Sequence, residues 1–212
     1  MQVTCQLSDQ DAAELSVELP KGTSAVSALL LGSSLNLWAP LREWVWRREA
    51  SGSPPSDPLD EYTEQVVNTA LHAVAQPHRV YFVHKRYGGH FVGFQRLGQA
   101  LGLASVGPAH LGVHRTYGPW FGYRALVLIQ DDTAPPPPPT AFSPCSSCKE
   151  RPCVPQLHAL KTPDGQYQPV DARSFRSWAA VRKVCPVGAA WTYGEGQLQY
   201  HYIHERSLLR RP

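Results

Sequence analysis

Long apolar runs are missing from this chain of 212 residues. The longest, "SAVSALLLGSS" at 24–34, is too short to span a bilayer, so no membrane partner is expected. Charge is scarce as well: charged residues make up 17% and the net charge is +3. That mild basicity does not argue for nucleic acid, and no RNP-type, finger or basic-helix pattern accompanies it. The chain has no Ser-His-Asp order, HExxH, P-loop or GxGxxG, which leaves hydrolase and NTPase readings without support. Its opening, "MQVTCQLSDQDAAELSVELPKG", lacks the basic start and apolar stretch of a signal peptide. The expectation is a cytoplasmic protein whose thiols stay reduced. No internal repeat is visible. Hydrophobic residues, at 42%, suffice for one well-filled core.

What the chain does have is a cysteine cluster. Three crowd into "CSSCKERPC", as Cys145-x2-Cys148-x4-Cys153, and a fourth, Cys185, precedes a proline in "CPVGA". In a reducing compartment this points to metal or redox chemistry before disulfides. A zinc site of four cysteines is normally built from two short paired hooks. An iron–sulfur cluster commonly takes three close cysteines and one remote Cys-Pro, the pattern seen here. In two-cluster ferredoxins the last cysteine of each run ligates the other cluster. On that scheme the fourth position of the first run is Leu157, followed by His158, and the second run has lost its three earlier cysteines from "VDARSFRSWAAVRKV". One complete ligand set survives. The expectation is one [4Fe-4S] cluster on Cys145, Cys148, Cys153 and Cys185, with zinc or an empty site as alternatives. Cys5 lies outside the set and reads as a lone thiol.

Periodicity organises the rest. Residues 24–34 read as a buried strand, and "LNLWAPLREWVWRRE" as a helix that tolerates Pro40 near its start. After the loop "ASGSPPSDP", Asp57 is placed as N-cap of a helix over "LDEYTEQVVNTALHAVA". "HRVYFVH" at 78–84 alternates as a strand does, and "KRYGGH" reads as a loop. "FQRLGQALGLASVG", 94–107, reads as one helix ended by glycines. "HLGVHRTYGPWFGYRALVLIQD", 110–131, reads as two strands meeting at Tyr117-Gly118-Pro119, the second carrying Ala125 to Ile129. "DDTAPPPPPTAFSP" is a stiff polyproline spacer. The division is a body at 1–132, a linker at 133–144 and a metal module at 145–212. Strands alternating with helices make the body a layered αβ domain. The module, with little apolar periodicity, is expected to fold around its metal.

The order "SALLLGSSLNLWAPLREW", "SDPLDEYTEQVV", "HLGVHRTYGPWFGYRALVLIQD" and "CSSCKERPC…CPVGA" resembles bacterial iron–sulfur proteins related to epoxyqueuosine reductase and to CblC-type cobalamin-processing proteins. The resemblance covers about residues 24–206. It implies an α+β fold: a nitroreductase-like, CblC-like body with a sheet flanked by helices, and a small ferredoxin-like module at the C-terminus. It also implies a body that binds cobalamin and uses flavin or thiol for reductive removal of the upper ligand. Only one cluster's ligands remain, so the two-cluster relay of the reductases is not carried over.

Around one turn stand His114, Tyr117, Trp120, Tyr123 and Arg124. Read functionally they rim a cofactor pocket, the aromatics stacking on a flat ring and Arg124 pairing with an acidic group; read blandly they are core aromatics and a surface arginine. "VHKRYGGH" combines basic residues with a Gly-Gly turn that backbone N–H groups could offer to phosphate, against the plainer reading of a solvated turn. His201 and His204 would share a face on a helix, without a third ligand. Arg206, Arg210 and Arg211 make the end basic. The functional expectation is a single-cluster redox protein. It would take electrons from a donor protein or a small-molecule reductant and pass them to a cofactor or substrate, a corrinoid among the candidates, which would make it an oxidoreductase. The alternative is a corrinoid-binding carrier or chaperone whose zinc or iron–sulfur module is structural. A third reading is a scaffold.

Overall fold

The protein is described by a computed structural model covering residues 17–18, 26–130 and 142–210. Cys5, Arg211, residues 24–25 of the first strand and most of the polyproline spacer lie outside the described residues. The described residues form two compact units. One draws on Met1–Ser33, Pro55–Leu103 and Gly122–Ala141, the other on Ser34–Pro54, Ala104–Phe121 and Phe142–Pro212. This grouping does not follow the sequential division at 133–144: the cysteine segment belongs with residues 34–54 and 104–121.

In the first unit, β1 (Val26–Ser33), β2 (His78–Phe82) and β7 (Gly122–Gln130) make an antiparallel sheet in the order β1-β7-β2. Leu30 stands opposite Leu126 and Val80 opposite Val127. The run Ala125 to Leu128 is buried on both faces, as a central strand requires. Alternation sends Leu126 and Leu128, with Ala28 and Leu30, to one face. There they meet Phe94, Leu97 and Leu101 of α3 (Phe94–Ala100) and its C-terminal cap. Ala125 and Val127 face the other way, with Phe82, against Val67 and Leu71 of α2 (Pro58–Leu71). The sheet is thus flanked by helices, as expected for the body.

Local chemistry explains where these elements start and stop. Asp57 has the extended backbone of an N-cap but makes no side-chain cap bond. Glu61 does that work instead: its Oε1 accepts from Ser56 N–H at 2.7 Å and Asp57 N–H at 3.0 Å. The helix expected over 94–107 stops at Ala100. Gly102, at φ 61°, closes a Schellman motif in which Leu103 N–H donates to Gly98 O and Gly102 N–H to Gln99 O. The chain then becomes a strand, β5 (Ala104–Val106). "KRYGGH" is more than a loop: β3 (Arg86–Tyr87) and β4 (His90–Phe91) pair across Gly88 and Gly89.

The second unit holds α1 (Trp38–Ala50), the hairpin of β5 (Ala104–Val106) and β6 (Gly112–His114), and four helices: α4 (Pro144–Ser147), α5 (Cys153–His158), α6 (Phe175–Lys183) and α7 (Glu195–Ile203). A ferredoxin-like module is not what residues 142–210 show. Among the described residues they contain short helices and one isolated bridge, Lys161 to Tyr167, but no strand. Nor does this segment lack apolar packing. Leu157, Leu160 and Val181 bury with Ala109 beside Trp178, and Ala179, Tyr193 and Leu198 enclose Trp120. Apolar packing therefore holds this segment. His204 takes a left-handed backbone (φ 53°) and ends α7, so it does not share a helical face with His201.

Among the described residues no helix is long and apolar enough to cross a membrane.

Candidate functional site: a cavity lined by four thiols

Within the second unit a cavity of about 290 Å³ is lined by Cys145, Cys148, Cys153 and Cys185 together. Three short structural devices deliver them. Cys145 sits in the first turn of α4 and Cys148 just after it. Cys153 opens α5 behind Pro152. Cys185 follows α6, its N–H donating to Arg182 O at 3.1 Å. All four are free thiols and half-buried. Burial pushes the Cys145 thiol up, and the neighbouring Cys185, Cys153 and Cys148 add to it. Burial also raises Cys185.

Apart from one cation, Arg151, the walls are mostly apolar: Ala109, Leu111, Val113, Val187 and five prolines, among them Pro186. Arg151 has a left-handed backbone, φ 41°, unusual for a side chain of that size. Gly107 keeps the cavity open, because a Cβ there would stand 3.1 Å from Cys145 Sγ.

The cavity brings the four cysteines together, but not as a group that could hold a metal. Among the described residues no group of three or more His, Cys, Asp or Glu side chains could hold a metal ion. Leu157, in the place of a fourth cysteine for the first run, is buried against Leu160 and Val181, with Trp178 and Cys153 beside them.

The five residues around the 117–119 turn fall in both units. Tyr123 and Arg124 belong to the first unit; His114, Tyr117 and Trp120 to the second. Trp120 is wholly buried, edge-on to Tyr193 at 5.4 Å between ring centroids. Tyr123 lies along Phe94 and close over Gly98, and burial raises its pKa to about 12. Both serve packing. Arg124 is held by its Nε donating to Ser33 Oγ at 2.8 Å.

His114 is buried and shapes the turn. Its Nδ1 accepts from the backbone N–H of Thr116 at 3.0 Å and Tyr117 at 3.2 Å. The proton of the neutral ring must then sit on Nε2. The ring stacks on Tyr117, and Tyr117 packs edge-on to Trp191. Burial, helped by Arg115, lowers the His114 pKa to about 4. The unfolded chain binds this proton near pH 6.5 and the folded chain only near pH 4. The stability tied to neutral His114 is thus complete above pH 6.5 and falls away as pH drops toward 4. Urea unfolding at pH 7 and pH 4.5 should show wild type losing about 2 kcal/mol more than His114→Gln, which has no proton to gain. Equal losses would remove this role.

Sequence reasoning missed the close backbone meeting behind Cys185. Gly118 (φ 55°) and Gly188 (φ 72°) face each other's neighbours so tightly that a Cβ on Gly118 would overlap Val187 O, and one on Gly188 the Tyr117 carbonyl. The only signal was the Gly in "YGP" and in "CPVGA".

No protein-family model matches the chain. No curated protein matches it in sequence. Among solved structures the chain is similar to that of a C. elegans B12-trafficking protein CblC, a homologue of human MMACHC. The TM-score is 0.63 at 15% identity, over 98% of this chain and 88% of that one. At that identity the likeness establishes the fold: a mixed αβ architecture of the CblC kind.

Proposed function

We propose that the chain is a corrinoid-binding protein of carrier or chaperone type, with its four-cysteine cavity as a metal module. The observation that carries this reading is the fold shared along nearly the whole chain with a B12-trafficking protein. The thiol cavity is not the corrinoid's place: at about 290 Å³ it is smaller than a corrin macrocycle with its amide arms. Trp120 and Tyr123, both occupied in packing, offer it no free face. Arg124 remains the side chain proposed to touch it, its guanidinium as donor to the amide-fringed ring. No chemical step is assigned to the corrinoid. Hydroxocobalamin added to the protein should shift its visible spectrum, saturate near one equivalent and co-elute in gel filtration. Arg124→Ala should weaken binding about tenfold, as loss of one charged hydrogen bond does. An unchanged spectrum at a hundred micromolar protein and ligand would end this reading.

A second reading is supported by the cavity. A single zinc ion needs thiolate sulfurs about 3.8 Å apart, given Zn–S bonds near 2.3 Å in a tetrahedron. A [4Fe-4S] cube spreads its four thiolates farther, because each caps a different iron. Four cysteines line one cavity, which a cube on these residues would need; among the described residues no group of three or more His, Cys, Asp or Glu could hold a metal ion. The chain is then a one-electron carrier supplied by a donor protein or small reductant. The buried Leu157 cluster fits a chain that keeps one cluster and has filled the place of another.

A further inference from the structure

The Gly-Gly hairpin of the first unit is used by neither reading. Its turn, Gly88 at φ 57° and Gly89 at φ 87°, requires the left-handed backbone that glycine adopts freely. A Cβ on either would meet nothing within 4 Å, so the turn stands open. Beneath it lies a cavity of about 530 Å³, within the range of small-ligand sites.

The lining divides the work. Tyr81 and Tyr87 form an aromatic wall, ring centroids 4.8 Å apart and edge to face. Their hydroxyls are spent on the backbone. Tyr81 OH donates to Glu18 O at 2.8 Å and accepts from Glu18 N–H at 2.7 Å, while Tyr87 OH accepts from Phe82 N–H at 2.7 Å. The wall is therefore rigid, and polar recognition falls to other groups. Among the described residues two arginines line the cavity against one carboxylate, Glu18, and Arg79 already pairs with it at 2.6 Å. Arg86 supplies the surplus positive charge. It is oriented by two contacts: Nη1 donates to Gly89 O at 3.0 Å, and the guanidinium lies 4.5 Å over the Phe91 ring. His90 lines the cavity on the other side of the turn. Phe91 is 51% exposed, an aromatic surface left bare beside a held guanidinium.

An oriented guanidinium with an imidazole and an open glycine turn is the chemistry of phosphate recognition, since Arg presents paired N–H donors to an oxyanion. We propose that this cavity binds the phosphate of a small phosphorylated molecule of nucleoside-monophosphate type. Arg86 and His90 hold the phosphate, and the tyrosine wall carries the apolar part. The proposal depends on neither the corrinoid nor the metal.

Adenosine monophosphate, adenosine and inorganic phosphate serve as probes in calorimetric titrations of the full chain. Adenosine monophosphate should bind, inorganic phosphate more weakly, and adenosine not measurably; raising the salt should weaken the first two. Arg86→Gln should lower the nucleotide's affinity at least tenfold with the melting temperature unchanged. Should that variant melt early, His90→Ala, at an exposed position, carries the test with a several-fold loss. Nucleotide binding no better than adenosine, or binding indifferent to the informative variant, would overturn the proposal.

Discussion

Gly188→Ala is expected to cost about 4 kcal/mol or more, most of the stability of a domain at the low end of the ordinary range. Two costs add. A left-handed backbone (φ 72°) penalises any side chain by about 1–2 kcal/mol. The new methyl would also overlap the Tyr117 carbonyl and Gly118 nitrogen, which are backbone and cannot swing aside. Overpacking of that kind adds about 1–3 kcal/mol, or more where nothing can yield. Gly165→Ala separates the two. Gly165 is left-handed too, at φ 82°, but nothing lies within 4 Å of its would-be Cβ, so only the backbone cost of about 1 kcal/mol applies. Urea unfolding of both variants decides it. Equal, small losses would mean that the 117–118 and 187–188 segments part easily. They could not then hold Cys185, three residues before Gly188, in the wall of the cavity.

Cys185→Ser should empty the thiol cavity as thoroughly as Cys148→Ser, although 37 positions separate the two residues in sequence. A four-thiolate group bound by all four residues lining one cavity loses a ligand either way. Protein reconstituted anaerobically should be brown with about four irons and four sulfides per chain, and each serine variant should be pale. Stoichiometric zinc without sulfide would overturn the cluster reading and leave a structural metal. No metal of either kind would end both versions of the module. Loss of the metal should open residues 143–153 to protease, since Ser143 is exposed and Cys145 and Cys148 are only half-buried. The stretch from Phe175 to Leu198 should resist, because Phe175, Ala179, Val181 and Leu198 are buried irrespective of metal. General collapse of 142–210 on metal removal would contradict that division.

Much of the sheet was legible because strands bury by alternation. The runs at 26–33, 78–82 and 122–130 carry their own pattern, and the flanking helices announce themselves by apolar spacing. The helix over 94–107 was not legible as two elements. Periodicity continues past Ala100 into "LASV", and only the Schellman geometry at Gly102 shows that the chain has turned. The N-cap at Asp57 was placed correctly on the backbone, yet the bonds come from Glu61, whose reach depends on a rotamer that spacing does not reveal. At the cysteines, spacing pointed to the four residues, and they do line one cavity. Their distances from one another, which decide between an ion and a cube, are set by α4, α5 and the end of α6.

The sequence by itself determined the three strands of the body's sheet, the helices on either side of it, and which four thiols stand apart as a group. These are local properties: alternation, periodicity and the residue types that thiolate chemistry demands. Tertiary structure alone decided that the cysteine segment packs with residues 104–121 instead of folding as a separate module. It alone put Trp120 at the centre of that packing. It also buried His114 and stacked its ring on Tyr117. Each of these outcomes depends on which apolar surfaces meet, a contest between segments far apart in sequence. A run of residues records its own preference in that contest, but not its partner's.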